Sequence, residues 1–258
     1  MHRVDLAPGA DLDGFRRAVR ALVGSGVKPQ EAVWSSGEGG LFGQQMEGTA
    51  PPVSLPRKVA ELITDVVPHR DPERYALLYD VIWRSLHGER EIAEVASDPV
   101  VHRLEMMRKA VRRDLHKMHA FLRFRRAEDS GGEHYVAWFE PDHHILAAAA
   151  PFFVNRFRGM RWSILTPEGS AHWDTETLTF GPPGDRAQLP EGDGFEAGWQ
   201  TYYESTFNPA RTNLKAMRAE MPKKYWRNMP ETAAIPALVR AAAGRTEAMI
   251  ERLSLIHI

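Results

Sequence analysis

Between Phe207 and Glu231 the chain gathers cations and flat rings. The stretch reads Phe-Asn-Pro-Ala-Arg-Thr-Asn-Leu-Lys-Ala-Met-Arg-Ala-Glu-Met-Pro-Lys-Lys-Tyr-Trp-Arg-Asn-Met-Pro-Glu. Before Glu231 it sets six bases (Arg211, Lys215, Arg218, Lys223, Lys224 and Arg227) against one acid, Glu220. Tyr225 and Trp226 stand between Lys224 and Arg227. Cations attract phosphates and aromatic faces stack on bases, so this composition suits a nucleic-acid surface. The chemistry it describes is binding, not a reaction. The plainer alternative for such a run is a solvated helix face, and for Tyr225 and Trp226 it is packing beside cations.

Other groups that could do chemistry are scattered. His116 and His119 lie three residues apart near Asp114, and His143-His144 follows Asp142. A zinc site needs three or four convergent ligands, and no such set stands out, so no metal is expected. Asp174 and Asp193 could act as bases but have no partner in the sequence; solvation or capping is the simpler role. No Gly-x-Ser-x-Gly elbow, Walker loop or dinucleotide fingerprint occurs. The glycine-rich run from Gly37 to Gly43 fits neither nucleotide pattern and reads as loop. With no cysteine in the chain, disulfides, thiolate zinc sites, Cys-ligated iron–sulfur clusters and a Cys nucleophile are excluded. No cofactor is expected.

The net charge of −1 hides segregation. Counting Lys and Arg against Asp and Glu, residues 1–98 carry −4, 99–166 carry +5, 167–206 carry −7 and 207–258 carry +5. Two basic blocks flank an acidic one. The first contains Lys109, Arg112 and Arg113, and folding could join it to the second. The chain of 258 residues, 43% hydrophobic and 26% charged, has the composition of a soluble globular protein. It lacks a long apolar run and a signal-like start, so a cytoplasmic location is the simplest expectation.

These groups must be positioned by elements that the pattern marks out. Asp11 caps a helix over about 12–23. A short strand falls near 32–34 within a loop-rich region, and a helix over 56–67 turns Val59, Leu62, Ile63 and Val66 inward. Asp71-Pro72 and Asp98-Pro99 each pair a cap with a proline at the first helical position. They start helices running to about Leu86 and over 99–119. The second carries Leu104, Met107, Val111, Leu115 and Met118 as its stripe, with Arg108, Lys109, Arg112, Arg113 and Lys117 outside it. The period then becomes alternating: 121–126 and 134–139 form a hairpin. Pro141 opens a helix to about Phe157, and strands follow near 161–166, 170–173 and 176–180, with Trp162 and Trp173 packing the sheet. A loop covers 181–191. Helices are expected over 193–206, from Asn208-Pro209 to Pro222, and over 231–243. On the middle one Arg211, Lys215 and Arg218 share a face. Residues 222–230 read as a proline-bounded loop. The expectation is an α+β protein, mostly helical, with a small antiparallel sheet at about 121–180. It divides into an N-terminal helical region (1–95), a core domain (96–245) and a linker start with a non-native tail (246–258).

Five ordered segments carry a resemblance: Tyr135-Val-Ala-Trp-Phe-Glu-Pro141, Pro151-Phe-Phe-Val-Asn-Arg-Phe157, Trp162-Ser-Ile-Leu-Thr-Pro167, Phe207-Asn-Pro-Ala-Arg211 and Met221–Glu231. Together they resemble a bacterial domain-of-unknown-function family described as DNA-metabolism or DNA-repair proteins. That family occurs ahead of a uracil-DNA glycosylase-like domain of the UdgX type, and as a separate protein encoded with a radical-SAM protein. The resemblance covers roughly 1–252, most fully 75–243. It implies an accessory role in bacterial DNA repair beside such a partner, and it supplies no catalytic residues. The glycosylase half cannot lie here, since its cluster cysteines and its Gly-Glu-x-Pro-Gly loop are absent. The end Ser254–Ile258 reads as a truncated or sequencing-derived tail, and whether the native chain continues past about 252 stays open. The implied function is a DNA-binding module using Arg211, Lys215, Arg218, Lys223, Lys224, Tyr225, Trp226 and Arg227, helped by Lys109, Arg112 and Arg113. The alternatives are a docking module that meets a repair enzyme without touching DNA, and an enzyme using His116, His119, Asp174 or Asp193.

Overall fold

The computed structural model describes residues 1–37, 51–129, 131–190 and 220–241. The expected 193–206 and 208–222 helices, apart from the end of the latter, and the 246–258 tail lie outside these residues, as do Arg211, Lys215, Arg218 and Asp193. The fold is an α+β mixture, and the chain forms two compact units: 1–116 with 141–149, and 117–140 with 150–258. The helices over 99–121 and 146–156 each contribute residues to both.

The first unit opens with a strand that the sequence did not announce. β1 (His2–Leu6) runs parallel to β2 (Ala32–Ser36). Val4 and Leu6 alternate inward, 6% and 5% exposed, which is half-buried strand periodicity. Parallel strands need a crossover, and α1 (Leu12–Gly24) supplies it. Asp11 caps α1 as expected, accepting the Gly14 N–H at 2.8 Å. The helix α2 (Arg57–Val66) buries Val59, Leu62, Ile63 and Val66 as its periodicity predicts.

The helix α3 begins at Arg74, later than Asp71-Pro72 implies, and ends at Leu86 before Gly88 at φ 111°. Asp71 instead closes a turn on the Glu73 N–H, and its backbone carbonyl accepts from Arg74. Asp98 caps α4 (Pro99–Phe121) through the Val100 and Val101 N–H groups. Leu104, Met107 and Val111 are buried and Leu115 half-buried. Leu104 and Met107 join one apolar core with β1, α1, α2 and α3.

The second unit is built on a five-stranded sheet in sequence order. β3 (Arg125–Asp129) and β4 (Gly132–Trp138) form the expected hairpin, with β3 starting later because α4 continues through Phe121. The helix α5 (Leu146–Arg156) starts five residues beyond Pro141. The backbone N–H groups of His143 and His144 are held by Asp114 and by the Pro68 carbonyl, in the bends that precede the helix. β5 (Trp162–Leu165), β6 (Ser170–Trp173) and β7 (Leu178–Gly181) complete the sheet. Three pairings are antiparallel, but β4 and β5 are parallel, as a strand–helix–strand crossover through α5 requires.

Trp162 and Trp173 pack the sheet as anticipated, 0% and 8% exposed. The region 222–230 is not plain loop: α6 (Lys223–Trp226) is one helical turn. After a 3-10 turn at Pro230–Ala234 the chain is helical over 235–241. Among the described residues no helix is long and apolar enough to cross a membrane.

Candidate functional site

The basic residues that the sequence groups together sort into exposed and neutralised cations. On α4, Lys109, Arg112 and Arg113 are all exposed. Arg112 is held 2.8 Å from Asp65, which also binds Arg108 at 2.8 Å. Lys109 and Arg113, four residues apart, make no ion pair with another described residue, and this spacing puts both on one helix face. Lys117, expected on the basic outer face, is buried at 6% exposure. Its ammonium donates to the Glu220 carbonyl and lies 3.5 Å from that residue's carboxylate. Burying a lysine is tolerated when its donors are satisfied and its charge is paired.

On α6, Tyr225 is a core residue, 3% exposed, and not an open stacking platform. Its ring stacks on Phe139 at 5.1 Å and meets Phe121 at 5.6 Å. The single turn of α6 aims this side chain inward, which the sequence could not show without the Phe139 partner. Trp226 is half-buried, and its indole N–H donates to the Met221 carbonyl at 3.0 Å. Lys223 and Lys224 are exposed and lie 5.9 Å and 4.7 Å from the Trp226 and Tyr225 ring centres. Arg227 is paired with Glu140. The exposed cations best placed to meet phosphate are therefore Lys223, with Lys224 beside it, in this unit, and Lys109 and Arg113 in the other.

The candidate acids and bases also separate. Asp174 caps a turn. It accepts the Glu176 and Thr177 N–H groups at 2.8 and 2.7 Å, which shapes the β6–β7 turn around Thr175 at φ 90°. These backbone donors hold its carboxyl below the usual range. His116 is exposed, and the His119 ring stacks on Phe152 at 4.0 Å. Among the described residues no group of three or more His, Cys, Asp or Glu is placed to hold a metal.

One histidine pair was invisible in the sequence. His69 and His143 stack with ring centres 4.3 Å apart, although 74 positions separate them. Nδ1 of His143 accepts the Arg70 N–H at 3.3 Å, and Nδ1 of His69 accepts the Asp71 N–H at 3.1 Å. Backbone donors thus fix both rings as the tautomer with a proton on Nε2. The loop bearing His69 is braced from Asp71, which binds Arg103 at 3.1 Å. Asp114, 3% exposed, secures the His143 backbone at 2.9 Å.

Burial is the main force lowering both imidazoles. It brings His143 to about 4, aided by His69 and opposed by Asp142. His69 is lowered by burial too, with Asp71 opposing. At neutral pH the pair is two uncharged N–H donors.

This pair has a stability signature. Between pH 6.5 and 4 the unfolded chain takes up a proton at His143 that the folded chain refuses. Stability is therefore full above pH 6.5, falls as pH drops towards 4, and changes no further from this group below that. Allowing for solvent screening at a half-exposed ring, the loss is about 1–2 kcal/mol. Urea melts of the native protein and of His143→Gln at pH 7.5, 6 and 4.5 should show the native midpoint dropping more than that of the variant. Parallel pH dependences would remove His143 from this role.

No curated protein and no solved structure matches the chain. A family model does, over residues 72–231. That span runs from the start of α3 through the sheet to α6, so it takes in His143, the β4–β7 strands and the Lys223–Arg227 turn. The chain belongs to DUF4130, a domain-of-unknown-function family.

Proposed function

We propose that the chain is an accessory nucleic-acid-binding module of bacterial DNA repair or DNA metabolism, working beside a uracil-DNA glycosylase-like or radical-SAM partner. The observation that carries this reading is the sorting of cations. On α4, Arg108 and Arg112 are held by Asp65, while Lys109 and Arg113 stand exposed one turn apart with no described carboxylate. A purely structural helix face gains from pairing its cations; a phosphate-binding face keeps some unpaired. Lys223 adds a further exposed cation in the second unit. DNA, rather than RNA, comes from the family resemblance and not from the geometry.

Fluorescence anisotropy with single- and double-stranded DNA, over a salt series, tests this. Reversing Lys109 and Arg113 together should weaken binding at least tenfold at about 100 mM salt. The slope of log K against log salt should also fall by about 1–2, roughly one unit for each duplex phosphate no longer neutralised. The Lys223→Glu, Lys224→Glu double variant should act in the same direction. Unchanged affinity and slope in both variants would end the proposal and favour the docking module, which a pull-down with a purified glycosylase-like partner would then test.

A further inference from the structure

The sheet of the second unit carries a continuous chain of four polar side chains on one face. Register sets it: Ser163 on β5 lies opposite His172 on β6, and residues two apart share a face. Ser163 Oγ is 2.6 Å from Nδ1 of His172 and 2.9 Å from Nε2 of His134 on β4. Nε2 of His172 is 2.9 Å from Ser170 Oγ. Ser163 and Ser170 are 6% and 3% exposed, and both rings are half-buried.

A serine hydroxyl holds one proton and a neutral imidazole one N–H. One proton assignment joins all three contacts: His134 donates to Ser163, Ser163 to His172 and His172 to Ser170, which takes each imidazole as the tautomer protonated on Nε2. Gly181, across from Ser170, leaves the room: a Cβ there would meet Ser170 Oγ at 2.7 Å and His172 Nε2 at 3.3 Å. Thr179, opposite His172 on the same face, is exposed, so the chain opens towards β7. Arg125, opposite Val136, belongs to this face on the β3 side, where its guanidinium donates to the Pro190 carbonyl at 3.0 Å.

A nucleophile, a base within hydrogen-bond reach and a third group orienting the base are the parts of an activated serine. We infer that Ser163 is the nucleophile of a phosphoryl-transfer site for phosphodiesters, with His172 as base, Ser170 as the positioning residue for His172, and His134 as the donor whose N–H passes from Ser163 Oγ to a phosphoryl oxygen as the Oγ–P bond forms. The Ser163 proton passes to Nδ1 of His172 as the Oγ–P bond forms. The P–O bond to the leaving alcohol breaks, and that alcohol takes the proton from His172. Water then attacks phosphorus as its proton passes to Nδ1 of His172, the Oγ–P bond breaks, and His172 returns that proton to Oγ, releasing a phosphomonoester and restoring Ser163. An N–H donor at His134 favours a phosphoryl anion over an uncharged ester.

This site goes beyond the binding role, and its test uses no nucleic acid. The full chain is treated with a small fluorophosphonate across pH 5–9 and mapped by mass spectrometry. In parallel, bis(p-nitrophenyl) phosphate is offered as substrate and nitrophenolate release is followed. A single adduct on Ser163 is expected, absent in Ser163→Ala, at least a hundredfold slower in His172→Gln and about tenfold slower in Ser170→Ala. Burial lowers His172 from its ordinary value, so labelling should persist below pH 6.5, where a free imidazole base would be lost. The native protein alone decides the main point: no adduct on Ser163 and no nitrophenolate release across that range overturns the inference. An adduct that forms equally fast in folded His172→Gln overturns the role of the base.

Discussion

Replacing Arg74 by Met is expected to destabilise the first unit by about 3–5 kcal/mol, the cost of breaking a buried, hydrogen-bonded charge network. Arg74 is 1% exposed. Its guanidinium donates to three carbonyls: Val67 at 3.0 Å, Asp71 at 3.0 Å and Gly9 at 2.8 Å. It also donates to the Tyr75 hydroxyl at 3.2 Å and lies 4.1 Å from the Tyr75 ring centre. A planar fork with five N–H groups can serve the α2–α3 loop and the segment after β1 at once. Methionine fills the space but leaves those carbonyls without their buried donor. Lysine keeps the charge and loses the fork, so Arg74→Lys should recover less than half of the loss.

The same loop carries His69, so the variant should also disturb the His69–His143 stack. Amide exchange followed by mass spectrometry is the suitable check, because a chain of two units need not unfold in one step. Faster exchange should concentrate in 2–36 and 57–86. Protection in those segments equal to that of the native protein would mean that the carbonyls find other donors, and that Arg74 does not hold the loop.

Much of the fold was legible because short-range chemistry decides it. Asp11 and Asp98 sit directly before helices that they cap through backbone N–H groups. The stripe of α2 needs only its own sequence. β1 was hidden because its two inward residues, Val4 and Leu6, make too short a pattern, and its partner β2 lies about thirty residues away. Asp71-Pro72 misplaced a helix start because Asp71 closes a turn of its own. The parallel β4–β5 pairing follows from the intervening helix.

Function was less legible for a related reason. Composition finds clusters that are contiguous in sequence, and it counted Arg112, Lys117 and Arg227 with the cations open to phosphate and Tyr225 with the open rings. Their partners, Asp65, Glu220, Phe139 and Glu140, lie far along the chain. In the same way His69 finds His143, and Ser163 finds His172 and His134, only once topology and register are known. A serine and two histidines on three strands leave no motif in the sequence, since strand register and not residue spacing brings them together.

Trp162→Ala is expected to cost about 3–5 kcal/mol in the second unit, the range for deleting a fully buried large aromatic side chain. Trp162 is 0% exposed, on the sheet face opposite Ser163. Its ring lies 5.9 Å from Phe124 and 6.3 Å from Phe153, and Phe124 also meets Phe157 at 5.3 Å. Truncation would leave a cavity that these rings, tied to α5 and to the segment before β3, cannot all collapse into. Trp162→Phe should cost only about 1–2 kcal/mol. It keeps most of the ring packing and removes an indole N–H that has no hydrogen-bond partner among the described residues. The ordering Ala far worse than Phe separates lost packing from lost polarity; equal losses would mean that the N–H has an essential acceptor. Exchange should rise across 132–181 in the alanine variant. Because Trp162 and Ser163 are adjacent on β5, fluorophosphonate labelling should fall in Trp162→Ala and survive in Trp162→Phe. That result would tie the nucleophile's geometry to the packing on the far side of its own strand.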